Sequence, residues 1–294
     1  MTYTPVIIIG AGRSGTNMLR DTLTKIDGVN TWPCDEINYI WRHYNVSHPT
    51  DEFTREMATK KVKNYIQHEF DKMASESNTS HLLEKTCANS LRAGFVHEIY
   101  PSAKYIHIIR DGRDVVESAK KRWTASLEPS YISQKVKYVP KSDLPYYGFK
   151  YFTNRIYKLF SKENRLAYWG PNFNGLEELL RQNVTLEEVC AHQWKQSVDR
   201  ATEAFETIPK DQVYTVYYED LTKEPIRYLK SICDFLNIDY TNELLSSITS
   251  EINNKSVGKG KSKLSERNIL DKVNSIIKNT MEKHHYETED TITK

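Results

Sequence analysis

Residues 6–17 constrain the fold of this chain more than any other stretch. Val6, Ile7, Ile8 and Ile9 form a continuous apolar run, the pattern of a parallel strand buried on both faces. Gly10, Gly12 and Gly15 punctuate the turn that follows, and Met18, Leu19, Leu23 and Ile26 then share one face of an expected helix. A strand turning sharply into a helix leaves backbone N–H groups unpaired at the helix start, where the helix dipole adds positive potential. Such a turn is an anion site. The glycines let the backbone approach a phosphate closely, and Arg13 adds a charge-assisted donor.

The spacing of Gly10 and Gly15 matches the phosphate-binding P-loop, Gly-x-x-x-x-Gly-Lys-Ser/Thr. Thr16 stands where that motif has its lysine, and Asn17 where it has the magnesium-binding hydroxyl. The turn is therefore expected to cradle an anion other than Mg·ATP. A tight strand–helix turn with no ligand is the plainer alternative.

At 294 residues and 38% hydrophobic, the chain is long enough for a single domain, 1–294, carrying a substantial insertion. A formal net charge of +2 supplies no global attraction for nucleic acid. Cys34, Cys87, Cys190 and Cys233 are single and widely spaced, which fits neither a zinc site nor a disulfide framework, and no metal is expected. No apolar run reaches transmembrane length, and the first apolar segment is too short for a signal sequence. The simplest expectation is a cytoplasmic protein.

Further strands are expected over 81–86, 104–110 and 212–218, with helices over 51–75, near 91–99 and after Asp111. Thr185 and Glu188 have the spacing of a capping box, and Pro225 opens another helix. Residues 31–39 read as a loop holding Asp35 and Glu36, and 255–263 as a basic, glycine-containing loop before a last helix from about residue 265. Residues 122–175, dense in Tyr, Phe and Trp, read as an insertion or lid. Strands alternating with helices imply an α/β fold with a central, mostly parallel sheet flanked by helices. Ligands bind such sheets beyond the carboxyl ends of the strands. The glycine loop, Lys85, Arg110 and Tyr218 all fall at those ends.

Arg110 and Ser118, eight residues apart across a strand–helix junction, suit a second phosphate. Arg110 paired with Asp111 or Asp114 is the alternative for that arginine. Together, Gly-x-Gly-Arg-Ser-Gly-Thr at residues 10–16 and the Arg-Asp-Gly-Arg-Asp-Val-Val-x-Ser run from Arg110 to Ser118 resemble the sulfotransferase family. Tyr218-Glu219-Asp220-Leu221 and Gly258-Lys259-Gly260-Lys261 add to the likeness, which spans residues 5 to about 265 outside the aromatic insertion.

The resemblance implies a P-loop-like fold and 3′-phosphoadenosine 5′-phosphosulfate (PAPS) as donor, with adenosine 3′,5′-bisphosphate (PAP) as product and no metal. It implies that Arg13, Ser14, Gly15, Thr16 and Asn17 hold the 5′-phosphosulfate, and that Arg110 and Ser118 hold the 3′-phosphate. Tyr218 would lie near adenine, and Lys259 and Lys261 would close over the 3′-phosphate. Met18 occupies the place of a tryptophan in the cytosolic branch. That branch also carries Lys-Thr-His at the second strand end; Lys85-Thr86-Cys87 lacks the histidine. The chain instead resembles the branch of tyrosylprotein, carbohydrate and bacterial enzymes, in which a glutamate serves as base, and Glu36 fits that place with Asp35 as its neighbour. Lys85 and Arg13 would stabilise the transferring group.

The acceptor is expected to bear a hydroxyl, with a glycan preferred over a small metabolite, a lipid or a protein tyrosine. A nucleotide-dependent small-molecule kinase and a non-catalytic nucleotide-binding protein are the competing readings.

Overall fold

The computed structural model describes residues 3–125, 135–160, 166 and 168–287. Five strands form one wholly parallel sheet: β1 (Thr4–Ile9), β2 (Val29–Thr31), β3 (His81–Lys85), β4 (Lys104–Ile109) and β5 (Val213–Tyr217), in the order β2-β3-β1-β4-β5. The expected parallel α/β architecture is present. Strand β2, within a stretch read as helix end and loop, was not foreseen; its three residues include one buried side chain and carry too little apolar pattern to announce a strand.

Alternation along β1 explains its all-apolar sequence. Val6 and Ile8 face one cluster, with Leu19 and Leu23 of α1 (Thr16–Leu23), while Ile7 and Ile9 face another, with Val62, Ile66 and Phe70 of α3 (Lys60–Ser77). Between them lies the short helix α2 (Asn38–Arg42). Helix α3 is shorter at its start than the expected 51–75. Thr59 caps it, and Phe53 packs edge-on against Phe95 of α4 (Ala93–Ile99) from a non-helical segment, so its apolar character came from the core rather than from helical periodicity.

A third cluster joins α5 (Gly112–Thr124) to α8 (Leu186–Phe205), with contributions from the aromatic stretch. The capping box of α8 is formed as expected, Thr185 and Glu188 satisfying each other's backbone N–H. Of the expected insertion at 122–175, residues 126–134, 161–165 and 167 lie outside the described residues. The remainder contains α6 (Leu144–Phe160), and the short α7 (Leu176–Arg181) follows it. Phe173 is buried in the third cluster, and Tyr168 and Trp169 are partly buried against it.

Helices α9 (Tyr218–Lys223), α10 (Pro225–Leu236) and α11 (Asn242–Thr249) follow β5. The basic segment expected as a loop begins helix α12 (Lys259–Glu266) after Gly258, which takes φ 75° at the cap, and α13 (Leu270–Lys283) ends the regular structure. Buried Gly260 lies so close to the Arg113 backbone that a Cβ would come within 2.3 Å of it, so the helix can pack here only with a glycine at this position.

The sheet order places a switch point at β1. The chain leaves β1 to build β2 and β3 on one side and crosses to the other side for β4 and β5. A crevice opens at such a point beyond the strand ends. The registers Ile8↔Lys85 and Ile9↔His107 align the ends of β3, β1 and β4 along its floor.

Candidate active site

The crevice is a cleft of about 1050 Å³. The glycine loop, Arg110, Ser118, Lys85, Glu36, Tyr218 and Lys259 all line it, so segments distant in sequence meet in one space. Ser14 is buried behind the loop, and the wall near Lys259 includes Lys263 but not Lys261.

Two glycines shape the loop. A Cβ on Gly10 would stand 2.6 Å from the Ile108 carbonyl oxygen, and one on Gly15 would stand 2.4 Å from the Tyr218 ring. Gly15 also takes φ 91°, a conformation costly to other residues. No side chain caps the start of α1, which leaves its first-turn N–H groups directed towards the cleft. The Ser14 hydroxyl is buried without a hydrogen-bond partner, as is Nε of Arg110. Orphaned donors at a helix start fit an anion.

Arg13 ties the two phosphate-type motifs together. It adopts φ 76°, its Nε donates to Ser118 Oγ at 3.0 Å, and its carbonyl accepts from Arg110 at 3.2 Å. Arg110 also donates to the Ser256 carbonyl and stacks 4.2 Å above Tyr218. The alternative partner for Arg110 is partly realised: Asp114 lies 3.5 Å away, while Asp111 pairs with Arg113 instead. Asp114 accepts the N–H groups of Gly258 and Gly260, holding the start of α12 against the cleft.

Opposite this wall, Lys85 Nζ donates to Asp35 Oδ1 at 2.9 Å and to Glu36 Oε1 at 3.1 Å. The Cys87 N–H adds a 3.3 Å bond to the same Glu36 oxygen. Burial alone would raise the Glu36 pKa, but the charges of Lys85 and Lys135 outweigh it and hold the carboxyl below its usual range. Asp35, which also accepts from Arg20 at 3.0 Å, is likewise lowered, Lys85 outweighing the opposing burial. Lys85 is held protonated, its pKa raised by the two carboxylates despite its own burial. Beneath the pair, Glu84 accepts from Thr86 and Asn89, and Thr86 Oγ1 receives the Ile37 N–H, so the end of β3 anchors the loop that carries Glu36.

A model of the sulfotransferase family matches residues 5–166 and 154–242. The chain belongs to the sulfotransferase family. No curated protein sequence matches this sulfotransferase. Among solved structures, its fold is similar to that of sulfotransferase STF9 from Mycobacterium avium, at TM-score 0.55 and 12% identity, covering 98% of this chain and 78% of that one. The sulfotransferase from Alicyclobacillus acidocaldarius matches at TM-score 0.51 and 13% identity, covering 98% of each chain. At such identities the likeness is one of fold.

Several groups on the sulfotransferase's cleft were not singled out from the sequence. Arg20 reaches Asp35 from one turn inside α1, a pairing that helical spacing does not signal. Arg42 is buried among the carbonyls of Val46, His48 and Thr50 and the carboxylate of Asp51. Tyr147 and Lys150 project from α6, whose position over α2 depends on tertiary packing. Among the described residues, no group of three His, Cys, Asp or Glu is placed to hold a metal ion, and no helix is long and apolar enough to cross a membrane.

Proposed function

We propose that this sulfotransferase moves a sulfuryl group from PAPS to an acceptor hydroxyl, with Glu36 as the base. The observation that carries the reading is the bridge through Arg13, which makes the glycine loop and the Arg110–Ser118 pair two parts of one anion site. The unpartnered Ser14 hydroxyl and Arg110 Nε fit further anionic oxygens there.

In this reading Arg13, Ser14, Gly15, Thr16 and Asn17 hold the 5′-phosphosulfate, and Arg110 with Ser118 holds the 3′-phosphate. Tyr218 supports that end of the site from beneath Arg110, and Lys259, with neighbouring Lys263, borders it. Lys261, off the cleft lining, has no direct part. The donor supplies an activated sulfuryl group on a bisphosphate leaving group. Glu36 accepts the proton of the acceptor hydroxyl as that oxygen bonds to sulfur and the bridging S–O bond breaks. Lys85 and Arg13 stabilise charge on the bridging and equatorial oxygens through the in-line displacement. Asp35, shared by Lys85 and Arg20, is the less available of the two carboxylates, which favours Glu36 as base. The aromatic residues bordering the cleft, Tyr39, Tyr147, Tyr168 and Trp169, favour a ring-bearing acceptor such as a glycan.

Transfer of label from PAPS to a panel of hydroxylated acceptors tests the reading. Wild type is expected to label an acceptor, and Glu36→Gln and Lys85→Ala to bind PAP but lose turnover. Near-normal rates in either variant would remove that residue from the chemistry.

A further inference from the structure

The cleft continues past Glu36 towards a second concentration of positive charge. Tyr39, three residues after Glu36 and electrostatically coupled to it, stands edge-on to Tyr147 with ring centroids 4.6 Å apart. Lys150 lies one helical turn beyond Tyr147 on α6, and both residues line the cleft. The path from the base therefore runs through two aromatic rings to an ammonium group.

The charge around that ammonium is not balanced. Asp51 is the one acid that raises the Lys150 pKa, and Asp51 is already engaged. It accepts from Arg42 at 2.8 Å, from Asn38 at 3.3 Å and from the Asn172 N–H at 2.9 Å, and Arg92 lies 3.6 Å from it. Arg42, Arg92 and Lys150 thus share Asp51, while the other nearby acids are engaged elsewhere, Glu84 with Thr86 and Asn89 and Asp143 with His43. Arg42 spends its remaining donors on backbone carbonyls, so it is a structural post and not a free ligand. Among the described residues no carboxylate lies within ion-pair distance of Lys150, and its ammonium stands 5.9 Å from the Tyr146 ring centroid. Burial, followed by Arg42, lowers its pKa, as expected for a cation lacking a counter-charge. Lys150 is exposed on the cleft wall, so an anionic group entering the cleft meets its ammonium directly.

We propose that the acceptor carries an anionic group, a carboxylate or a sulfate ester, that pairs with Lys150 while its reacting hydroxyl sits at Glu36. The rings of Tyr39 and Tyr147 would flank the body of the acceptor between these two ends. This inference rests on the sulfotransfer reading and deepens it by naming the substrate class: an acidic ring-bearing acceptor, such as a uronide or an already sulfated sugar.

The test compares p-nitrophenyl β-glucoside, its glucuronide and its 6-sulfate, both as acceptors with labelled PAPS and as ligands of the PAP-loaded full chain. At least one anionic compound is expected to exceed the neutral one by tenfold or more in kcat/KM or in binding. Lys150→Glu should reverse that order, and Lys150→Arg should keep it, with PAP affinity unchanged in both as evidence of an intact fold. If neither anionic compound exceeds the neutral glucoside in transfer or in binding, the proposal is overturned. A preference unchanged in Lys150→Glu also overturns it, because the discrimination then arises elsewhere. Failure of the wild type to bind PAP is a separate result that faults the donor reading itself.

Discussion

The ammonium of Lys85 lies 3.1 Å from Oε1 of Glu36, and the two side chains come from segments about fifty residues apart in the chain. This contact joins the group that would stabilise the transferring sulfuryl to the group that would take the proton. It also keeps Glu36 ionised, since Lys85 and Lys135 together outweigh the burial that would otherwise protonate it.

The pH profile follows from that balance. A base must be deprotonated, and a depressed pKa places the acidic limb of kcat/KM below the ordinary glutamate value. Activity should therefore stay flat as pH falls to about 5, with pKa near 4.3 marking an unperturbed glutamate. In Lys85→Met the residual activity should show that limb moved to higher pH. Glu36→Gln should lose roughly 10²–10⁴-fold in kcat. Steady-state rates across pH 4–8 read wild type and both variants, and an acidic limb above 6 in wild type would argue against the ion pair.

Glu84 predicts a stability effect with the opposite sense. Burial raises its pKa to about 7, so the folded state prefers it protonated. That stabilising preference is complete below the unfolded glutamate pKa and is lost as pH rises through about 7. Glu84→Gln, which keeps a carbonyl for Thr86 or Asn89, should abolish the loss of stability on raising pH from about 4.5 to 7, on the order of a few kcal/mol. Urea denaturation at a series of pH values measures it, and parallel curves for wild type and variant would contradict it.

Gly15 is expected to be irreplaceable. Gly15→Ala combines a positive φ with a Cβ 2.4 Å from the Tyr218 ring, so either the loop or Tyr218 must move. PAP affinity should fall at least tenfold, with a destabilisation of about 1–3 kcal/mol. Thermal unfolding together with PAP titration separates the two effects, and an unchanged affinity would show that the loop is not the phosphate cradle.

The basic segment at the start of α12 offers a paired comparison. Lys259 and Lys263 border the cleft and Lys261 does not. Lys259→Ala should weaken PAP binding several-fold and reduce its salt dependence, whereas Lys261→Ala should leave both near wild type. Equal losses in the two would mean that this segment repositions when the donor binds.

Much of this site was legible in the sequence because strand ends are legible. The apolar run of β1, the glycines after it and the arginine closing β4 each carry a local pattern, and parallel topology gathers strand ends without further information. The helical start of α12 was not legible, because the group that accepts the Gly258 and Gly260 N–H groups there is Asp114, more than 140 residues earlier in the chain. The same holds for Arg20 on Asp35 and for the cluster of Arg42, Arg92 and Asp51, whose members lie up to fifty residues apart. Neither periodicity nor spacing encodes which charges will meet after folding. In the aromatic stretch, sequence alone does not separate Phe173, buried in the core around α8, from Tyr168 and Trp169, which pack against that core and also line the cleft.

The central claim is that Arg13 unites the glycine loop and the Arg110–Ser118 pair into a site for a nucleotide bearing a 3′-phosphate. Calorimetric titration of the full chain with PAP and with ADP, without magnesium, tests it most directly. PAP is expected to bind at least tenfold tighter than ADP, and Arg110→Ala to remove the difference while leaving ADP binding nearly unchanged. Equal affinity for the two nucleotides, or a preference that survives loss of Arg110, would contradict it.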